Sequence, residues 1–333
     1  MSITGPLVDR FGRAHTDLRI SVTDRCNIRC VYCMREHGVE FRPHSEILTF
    51  EEIQRFVQVA VRLGIREVRL TGGEPLVRKD VCRLVEMLAA VPGVDDLAMT
   101  TNGILLAECA EDLKAAGLDR LNISLDTLNR RKFLQISRRD ELSRVLEGIT
   151  AACRAGFQKI KLNALAIRGQ TDEEVVPLAR FAREHGVELR FIEFMPLDGD
   201  DQWEADRVLT GKEILKLLTD AFGPLEPVAR DESRAPATQF RLPGGGPSIG
   251  LISTVSDPFC EHCSRLRLTA EGKVRSCLFS GEEWDVRAVL RTGGSDEQLA
   301  ELISEAVFAK KEKHGSDSGG FLRTDRSMHQ IGG

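Results

Sequence analysis

Between Leu18 and Met195 the chain repeats one pattern six times, a short aliphatic run followed by an amphipathic helix. The predicted strands run from Leu18 to Val22, Glu67 to Leu70, Leu97 to Thr100, Arg120 to Leu125, Lys159 to Ile167 and Glu188 to Phe194. Helices between them have readable starts. Thr49 precedes Glu52 by three residues, as in a capping box, Ile53, Phe56, Val57 and Ala60 recur at helical spacing, and Gly64 is a natural stop. Strand, helix, strand repeated in this way gives a parallel sheet with right-handed crossovers. Six units are too few for a closed eightfold barrel, so the expected fold is α/β, a partial, TIM-like (β/α)6 barrel.

Strand parity says which face does what. In Arg120 to Asp126 the apolar side chains are Leu121, Ile123 and Leu125, which leaves Asn122, Ser124 and Asp126 on the other face. Ile160 and Leu162 oppose Lys161 and Asn163, Val68 and Leu70 oppose Arg69 and Thr71, and Leu189 and Phe191 oppose Arg190. Crossover helices need the apolar faces, so the polar parity lines the lumen. A barrel lumen is ordinarily filled with branched apolar residues; this one reads as wet and functional.

After Met195 the rhythm breaks. Asp198 to Asp206 is acidic, Gly211 to Phe222 reads as a helix, and a smaller set of strands is expected at Thr238 to Leu242, Ser248 to Ile252, Leu266 to Thr269 and Val274 to Ser276. Helices follow near Glu283 to Leu290 and Asp296 to Ala309. Residues 1–196 are therefore assigned to the barrel and 197–333 to a smaller α+β C-terminal extension.

Three thiols, Cys26, Cys30 and Cys33, lie within eight residues directly after the first strand. A closed zinc site normally takes four ligands. Three cysteines in a tight loop suit a 4Fe-4S cluster with one iron left for a non-protein ligand, and a zinc or buried-thiol site is the alternative. A second triplet, Cys260, Cys263 and Cys277, repeats the count, with His262 inside it as a candidate fourth zinc ligand. Of the nine cysteines, Cys82, Cys109 and Cys153 fall singly in helical patterns and read as small core residues. With no signal-like apolar stretch in Met1 to Arg13 and no run long enough to span a bilayer, the expected compartment is the reducing cytoplasm, where cysteines serve as metal ligands or free thiols more often than as disulfides. The net charge of -5 argues against a nucleic-acid partner, so any anion site must be local.

Local cations are present. Arg19, Arg69, Lys161 and Arg190 fall on the lumen parity, and Arg265 and Arg267 share one face of a later strand across Leu266. Guanidinium forks suit phosphate or nucleobase carbonyls, while a solvated strand face is the plain alternative. Thr71-Gly72-Gly73-Glu74-Pro75 follows the second strand at the end where barrel sites form, and its glycines would let a ligand approach the backbone closely.

The Cys-x3-Cys-x2-Cys loop with Tyr32 before the last thiol resembles the radical S-adenosylmethionine (SAM) superfamily. Together with Arg69 to Pro75, Thr100 to Gly103, Asn122 to Asp126, Arg190 to Pro196, the second triplet and the closing Ile331-Gly332-Gly333, the chain resembles the GTP 3′,8-cyclase family of molybdenum cofactor biosynthesis over almost its whole length. The resemblance implies two 4Fe-4S clusters, on Cys26, Cys30 and Cys33 and on Cys260, Cys263 and Cys277. It implies SAM held by Tyr32, Gly73, Glu74, Ser124 and Met195. GTP would be bound by Arg19, Arg69, Thr100, Lys161, Arg190, Arg265, Leu266 and Arg267, with the second cluster facing guanine. The implied lyase activity removes the C3′ hydrogen of GTP with a 5′-deoxyadenosyl radical and joins C3′ to C8, giving 3′,8-cyclo-7,8-dihydro-GTP. A reductant protein, a homodimer and a Gly-Gly tail threaded near Arg69 and Arg19 belong to the same expectation. The rival readings are another radical SAM enzyme with an auxiliary cluster, of the peptide maturase type, and a zinc or redox scaffold.

Overall fold

The computed structural model describes residues 5–197, 203–229, 236–314 and 326–332. The alternation is present as β1 (Asp17–Ser21), α1 (Phe50–Arg62), β2 (Glu67–Thr71), α2 (Val81–Ala89), β3 (Asp96–Thr101), α3 (Ala110–Ala115), β4 (Arg120–Ser124), α4 (Arg130–Ser137), α5 (Leu142–Arg154), β5 (Lys159–Ala166), α6 (Val175–His185) and β6 (Glu188–Glu193). α1 starts at the capping box: Glu52 N donates to Thr49 Oγ1 at 3.1 Å and Thr49 N to Glu52 Oε2 at 2.7 Å. Ile53, Phe56, Val57 and Ala60 form its buried stripe.

β1 to β6 pair in chain order, all parallel. Their apolar parity, including Leu18, Ile20, Val68, Leu70, Leu121, Ile123, Leu162 and Leu189, is fully buried in the main core. Burying each such side chain contributes about 1.5–3 kcal/mol, and a one-residue slip would exchange that set for the polar parity. The register is therefore strongly fixed.

The C-terminal extension is present, and its strands join both edges of the barrel's sheet. After α7 (Gly211–Phe222), β7 (Glu226–Pro227) and β8 (Thr238–Arg241) lead into β9 (Ser248–Ile252), which pairs parallel to β6. β10 (Arg265–Leu268) crosses to the opposite edge and pairs parallel to β1, followed by antiparallel β11 (Lys273–Arg275) and β12 (Trp284–Asp285). The result is one open 12-stranded sheet, β12-β11-β10-β1-β2-β3-β4-β5-β6-β9-β8-β7. Its physical reason is the pair of edges that an open six-stranded barrel leaves with unmet backbone donors and acceptors. The helix expected from Glu283 begins later: Trp284 and Asp285 form β12, and Asp285 caps α8 (Val286–Arg291). α9 (Asp296–Phe308) and α10 (Met328–Ile331) complete the described chain. Of the single cysteines, Cys82 and Cys109 are half-buried, whereas Cys153 is exposed on α5 and is not a core residue.

Candidate active site

β1 runs directly into the loop of the first triplet, and main-chain contacts shape that loop. Arg29 N and Val31 N donate to Ser137 O and Ile136 O at the end of α4, each at 3.0 Å, and Cys33 N donates to Cys30 O at 2.9 Å. Arg29 Nη1 reaches back to Cys26 O at 2.7 Å and Ile28 O at 2.8 Å. The loop after β2 lies against it: Gly73 N donates to Thr23 O at 2.7 Å and Glu74 N to Arg25 O at 2.8 Å. A Cβ on Gly72 would overlap the Thr23 carbonyl, and one on Gly73 the Arg25 carbonyl. A side chain at either position would thus meet the cysteine loop, and both glycines also line the cavity where these loops meet the lumen.

Glu74 ties a third loop to the first two. Its Oε1 accepts from Leu76 N at 3.0 Å and Thr101 Oγ1 at 2.7 Å, and its Oε2 from Asn102 N at 2.6 Å. Burial lifts its pKa to about 7 in spite of those three donors.

A cavity of about 280 Å³ opens where these loops meet the lumen. Cys26, Cys30, Cys33, Tyr32, Gly73 and Glu74 line it, as do Thr100, Ser124 and Met195. Arg19, Arg69, Arg190, Arg265 and Arg267 line it too. Strand register explains that cluster of cations: Arg19 pairs with Arg69 across β1 and β2, and with Arg267 across β1 and β10. Like charges directly opposite one another are unfavourable in a sheet. Burial and the neighbouring guanidiniums hold Arg19 well below its usual range, and burial brings Arg69 and Arg267 down to about 10. Asp17, at the foot of the row, answers only part of this charge. Burial would raise its pKa, but Arg69, Arg19 and Arg265 outweigh burial and hold it low.

Among the residues that line this cavity, four buried polar atoms have no hydrogen-bond partner: Arg19 Nε, which faces Asp17 Oδ2 at 3.8 Å, Arg69 Nε, Asn122 Nδ2 and Asn163 Oδ1. Buried polar groups are nearly always paired, so four such atoms around one cavity are unusual.

Two of the sequence-derived substrate positions fall elsewhere. Lys161 is on the lumen parity but does not line the cavity; its ammonium faces Glu188 at 3.7 Å, and burial with Arg190 nearby brings it down to about 8. Leu266 lies on the opposite parity from Arg265 and Arg267, fully buried in the apolar core, so only its main chain can face a ligand.

The second triplet is brought together beside the cavity, not on its wall. Cys260, Cys263 and Cys277 are absent from the lining, but Cys260 feels both other thiols, and Arg265, two residues from Cys263, reaches the cavity. Its electrostatics differ from those of the first triplet. Burial raises Cys26 to about 11 and Cys33 to about 12, and pushes Cys30 well above its ordinary value. For Cys263, burial is outweighed by Lys310 and Arg265, which bring it to about 7.

Both donor sets fit iron-sulfur clusters: three thiols each, close enough that each affects its neighbours' protonation. Among the described residues no group of three or more His, Cys, Asp or Glu is arranged to hold a single metal ion. His262, the suggested fourth zinc ligand, is exposed, and His314 lies against Cys260 Sγ instead, at 3.0 Å.

The tail closes one side of the cavity. Met328 and His329 line it, Arg267 Nη1 donates to Gly332 O, and a Cβ on Gly332 would meet Thr71 Cγ2 at 2.9 Å. Gly332 therefore sits beside Thr71 and Ser21, each two residues beyond Arg69 and Arg19; Gly333 lies outside the described residues, as do 198–202, 230–235 and 315–325.

Sequence reading misses Asp126, Asn102, Arg13 and Lys310 as working residues. Asp126 accepts from Tyr32 Oη at 2.6 Å and Leu165 N at 2.8 Å, and Asn102 Nδ2 donates to Asn27 Oδ1 at 2.7 Å beside Cys26. Lumen parity does place Asp126 on the right face. Nothing local signals Arg13 or Lys310.

An open parallel barrel whose first loop presents three thiols to a cavity, with a Gly-Gly-Glu loop packed on that thiol loop, defines a radical SAM protein. The Radical SAM superfamily model matches residues 20–182, and the Molybdenum Cofactor Synthesis C model residues 187–316. Among curated relatives, a GTP 3′,8-cyclase from Rhodopirellula baltica is 54% identical over 330 residues, 98% of this chain and 92% of that protein. One from Streptomyces coelicolor is 45% identical over 328 residues, 98% of this chain and 96% of that protein. Solved structures agree on the fold: Streptococcus suis SuiB bound to S-adenosylmethionine matches with a TM-score of 0.61 at 15% identity, over 89% of this chain and 69% of that one. Methylornithine synthase (PylB) matches with 0.51 at 17%, over 64% of each. The chain belongs to the GTP 3′,8-cyclase family.

Proposed function

We propose that the chain converts GTP to 3′,8-cyclo-7,8-dihydro-GTP for molybdenum cofactor biosynthesis, using two 4Fe-4S clusters and SAM. The observation that carries this reading is the in-register row Arg69, Arg19 and Arg267, with no hydrogen bond to the Nε of Arg19 or Arg69, in the same cavity as Cys26, Cys30 and Cys33. A triphosphate brings up to four negative charges, and a protein of net charge -5 can hold it only where cations are concentrated. When bound, the SAM and its cluster supply the 5′-deoxyadenosyl radical that takes the C3′ hydrogen.

This chain's residues do the rest by placement. Cys26, Cys30 and Cys33 would hold the first cluster, with Gly73, Glu74, Tyr32, Ser124 and Met195 around SAM. Cys260, Cys263 and Cys277 would hold the second cluster. Arg19, Arg69 and Arg267 neutralise phosphate oxygens, Arg267 while its Nη1 holds Gly332 O. Arg190, ion-paired to Glu188 at 2.5 Å, and Arg265, stacked on Phe259 at 4.7 Å, are held in single orientations and serve the same substrate, with Thr100 beside them. Lys161 contributes through the local field while it faces Glu188. Ile192, Phe194 and Ile252 give the cavity an apolar side that keeps water from a reactive intermediate.

The electron donor as a separate reductant protein, the homodimer and the cytoplasmic location rest on the family resemblance, alongside the observation that no helix among the described residues is long and apolar enough to cross a membrane. The test is direct: anaerobically reconstituted protein, given SAM, dithionite and GTP, is expected to yield the cyclised product by mass spectrometry. Formation of 5′-deoxyadenosine with GTP returned unchanged would contradict the reading.

A further inference from the structure

Lys310 follows the end of α9 and is almost wholly buried, 3% exposed. Lysine is almost never fully buried without a partner. Here the partner is sulfur: Lys310 Nζ donates to Cys263 Sγ at 3.3 Å and to Arg265 O at 2.8 Å. The side chain thus bridges a thiol of the second triplet and the residue that carries a cavity guanidinium.

Its position is set from two directions. α9 buries Leu299, Ile303, Ala306 and Val307 against the core, which fixes the chain up to Lys310. On the far side, Arg13 takes the next two residues: Nη2 donates to Lys311 O at 2.7 Å and Nη1 to Glu312 O at 2.7 Å. The same Nη1 donates to Cys260 O at 2.8 Å, and Asp9 Oδ2 holds the guanidinium through Nε at 2.6 Å. Two buried cations from opposite ends of the chain therefore grip one loop, one by its thiol and one by its carbonyl.

We infer that Lys310, held in place by Arg13, is a positioning residue for the second iron-sulfur cluster, whose hydrogen bond to the Cys263 sulfur raises that cluster's reduction potential. The inference rests on the reading of Cys260, Cys263 and Cys277 as cluster ligands. A donor to a ligating sulfur, particularly a cationic one, favours the more negative, reduced cluster, and hydrogen bonds to sulfur are among the levers that set such potentials. Nothing in the role requires Lys310 to touch SAM or GTP.

The experiment is an EPR-monitored redox titration of the reconstituted full-length protein and of Lys310→Gln and Lys310→Met, with iron counted per chain. Gln keeps a neutral donor, and Met keeps the stem and removes the donor. The first cluster serves as the internal control. The expected result is about eight irons per chain, an unchanged first-cluster midpoint, and a second-cluster midpoint that becomes more negative in the order Lys, Gln, Met. Equal second-cluster midpoints in parent and Gln variant, at full iron content, would overturn the inference, and would do so even if the Met variant failed to retain that cluster. A parent protein with four irons and one EPR signal would instead overturn the assignment of the second triplet, and the inference with it.

Discussion

Arg19 on β1 stands directly opposite Arg69 on β2, both lining the cavity and neither Nε hydrogen-bonded. Two like charges in register weaken a sheet, a cost that the proposed triphosphate site would offset. Arg69→Met is expected to leave the apoprotein at least as stable as the parent while weakening GTP binding about 10- to 100-fold, the usual range for losing hydrogen bonds to a charged group. Calorimetric GTP titration together with a denaturant melt checks both halves. Unaltered GTP affinity would remove the row from the substrate site.

Lys161 gives a pH signature. Its pKa is about 8 in the fold against an ordinary value of 10.5, so between those values the unfolded chain binds a proton that the folded chain does not. Stability should therefore rise as pH increases through about 8 toward 10.5, and the cost of the buried charge is fully present below 8. Lys161→Met is expected to stabilise the apoprotein by roughly 1–3 kcal/mol at pH 7 and by much less at pH 10, since Glu188 keeps Arg190. A stability difference that does not change with pH would contradict this.

Thiol chemistry should separate the triplets. In metal-free protein near pH 7.5, Cys263 at about 7 is largely thiolate, whereas Cys26 at about 11 and Cys33 at about 12 are protonated. Limiting iodoacetamide followed by peptide mapping is expected to label Cys263 at least about tenfold faster than Cys26, Cys30 or Cys33. Its labelling rate should climb as pH rises through about 7. Equal rates would show that the charge environments of the two loops are alike.

Alternation of strand and helix, and the parity that sets Asn122, Ser124 and Asp126 against Leu121, Ile123 and Leu125, are local properties of the chain and are legible in its sequence. The arginine row is only half legible there. Parity puts Arg19, Arg69 and Arg267 on polar faces, but their adjacency depends on β10 pairing with β1 across more than two hundred residues, and no local pattern encodes that pairing. Leu266 takes its expected role from the family resemblance, and its side chain lies in the apolar core, so only its main chain can serve that role. Gly72 and Gly73 read as room for a ligand; they line the cavity, and their lack of side chains also makes room for Thr23 and Arg25, which no local pattern shows. Lys310 stands in a run of charged residues, Lys310 to Lys313, that carries no local motif, and its burial follows α9.

The tail makes a prediction from one glycine. Gly332 has φ of +71°, its carbonyl accepts from Arg267, and a Cβ there would crowd Thr71. A left-handed residue with a Cβ costs about 1–2 kcal/mol. Gly332→Ala is thus expected to lower cyclisation roughly 5- to 30-fold at unchanged iron content and melting temperature. Parent-like turnover would mean that the tail merely rests where it lies.

The central claim is that the arginine row presents C3′ of GTP to the radical formed beside Cys26, Cys30 and Cys33. GTP deuterated at C3′ tests it most directly, in a single anaerobic turnover with unlabelled SAM. The account predicts deuterium in 5′-deoxyadenosine in step with cyclised product in the parent, and loss of both in Arg19→Met while slow uncoupled SAM cleavage persists. Cyclised product accompanied by 5′-deoxyadenosine free of deuterium would contradict it.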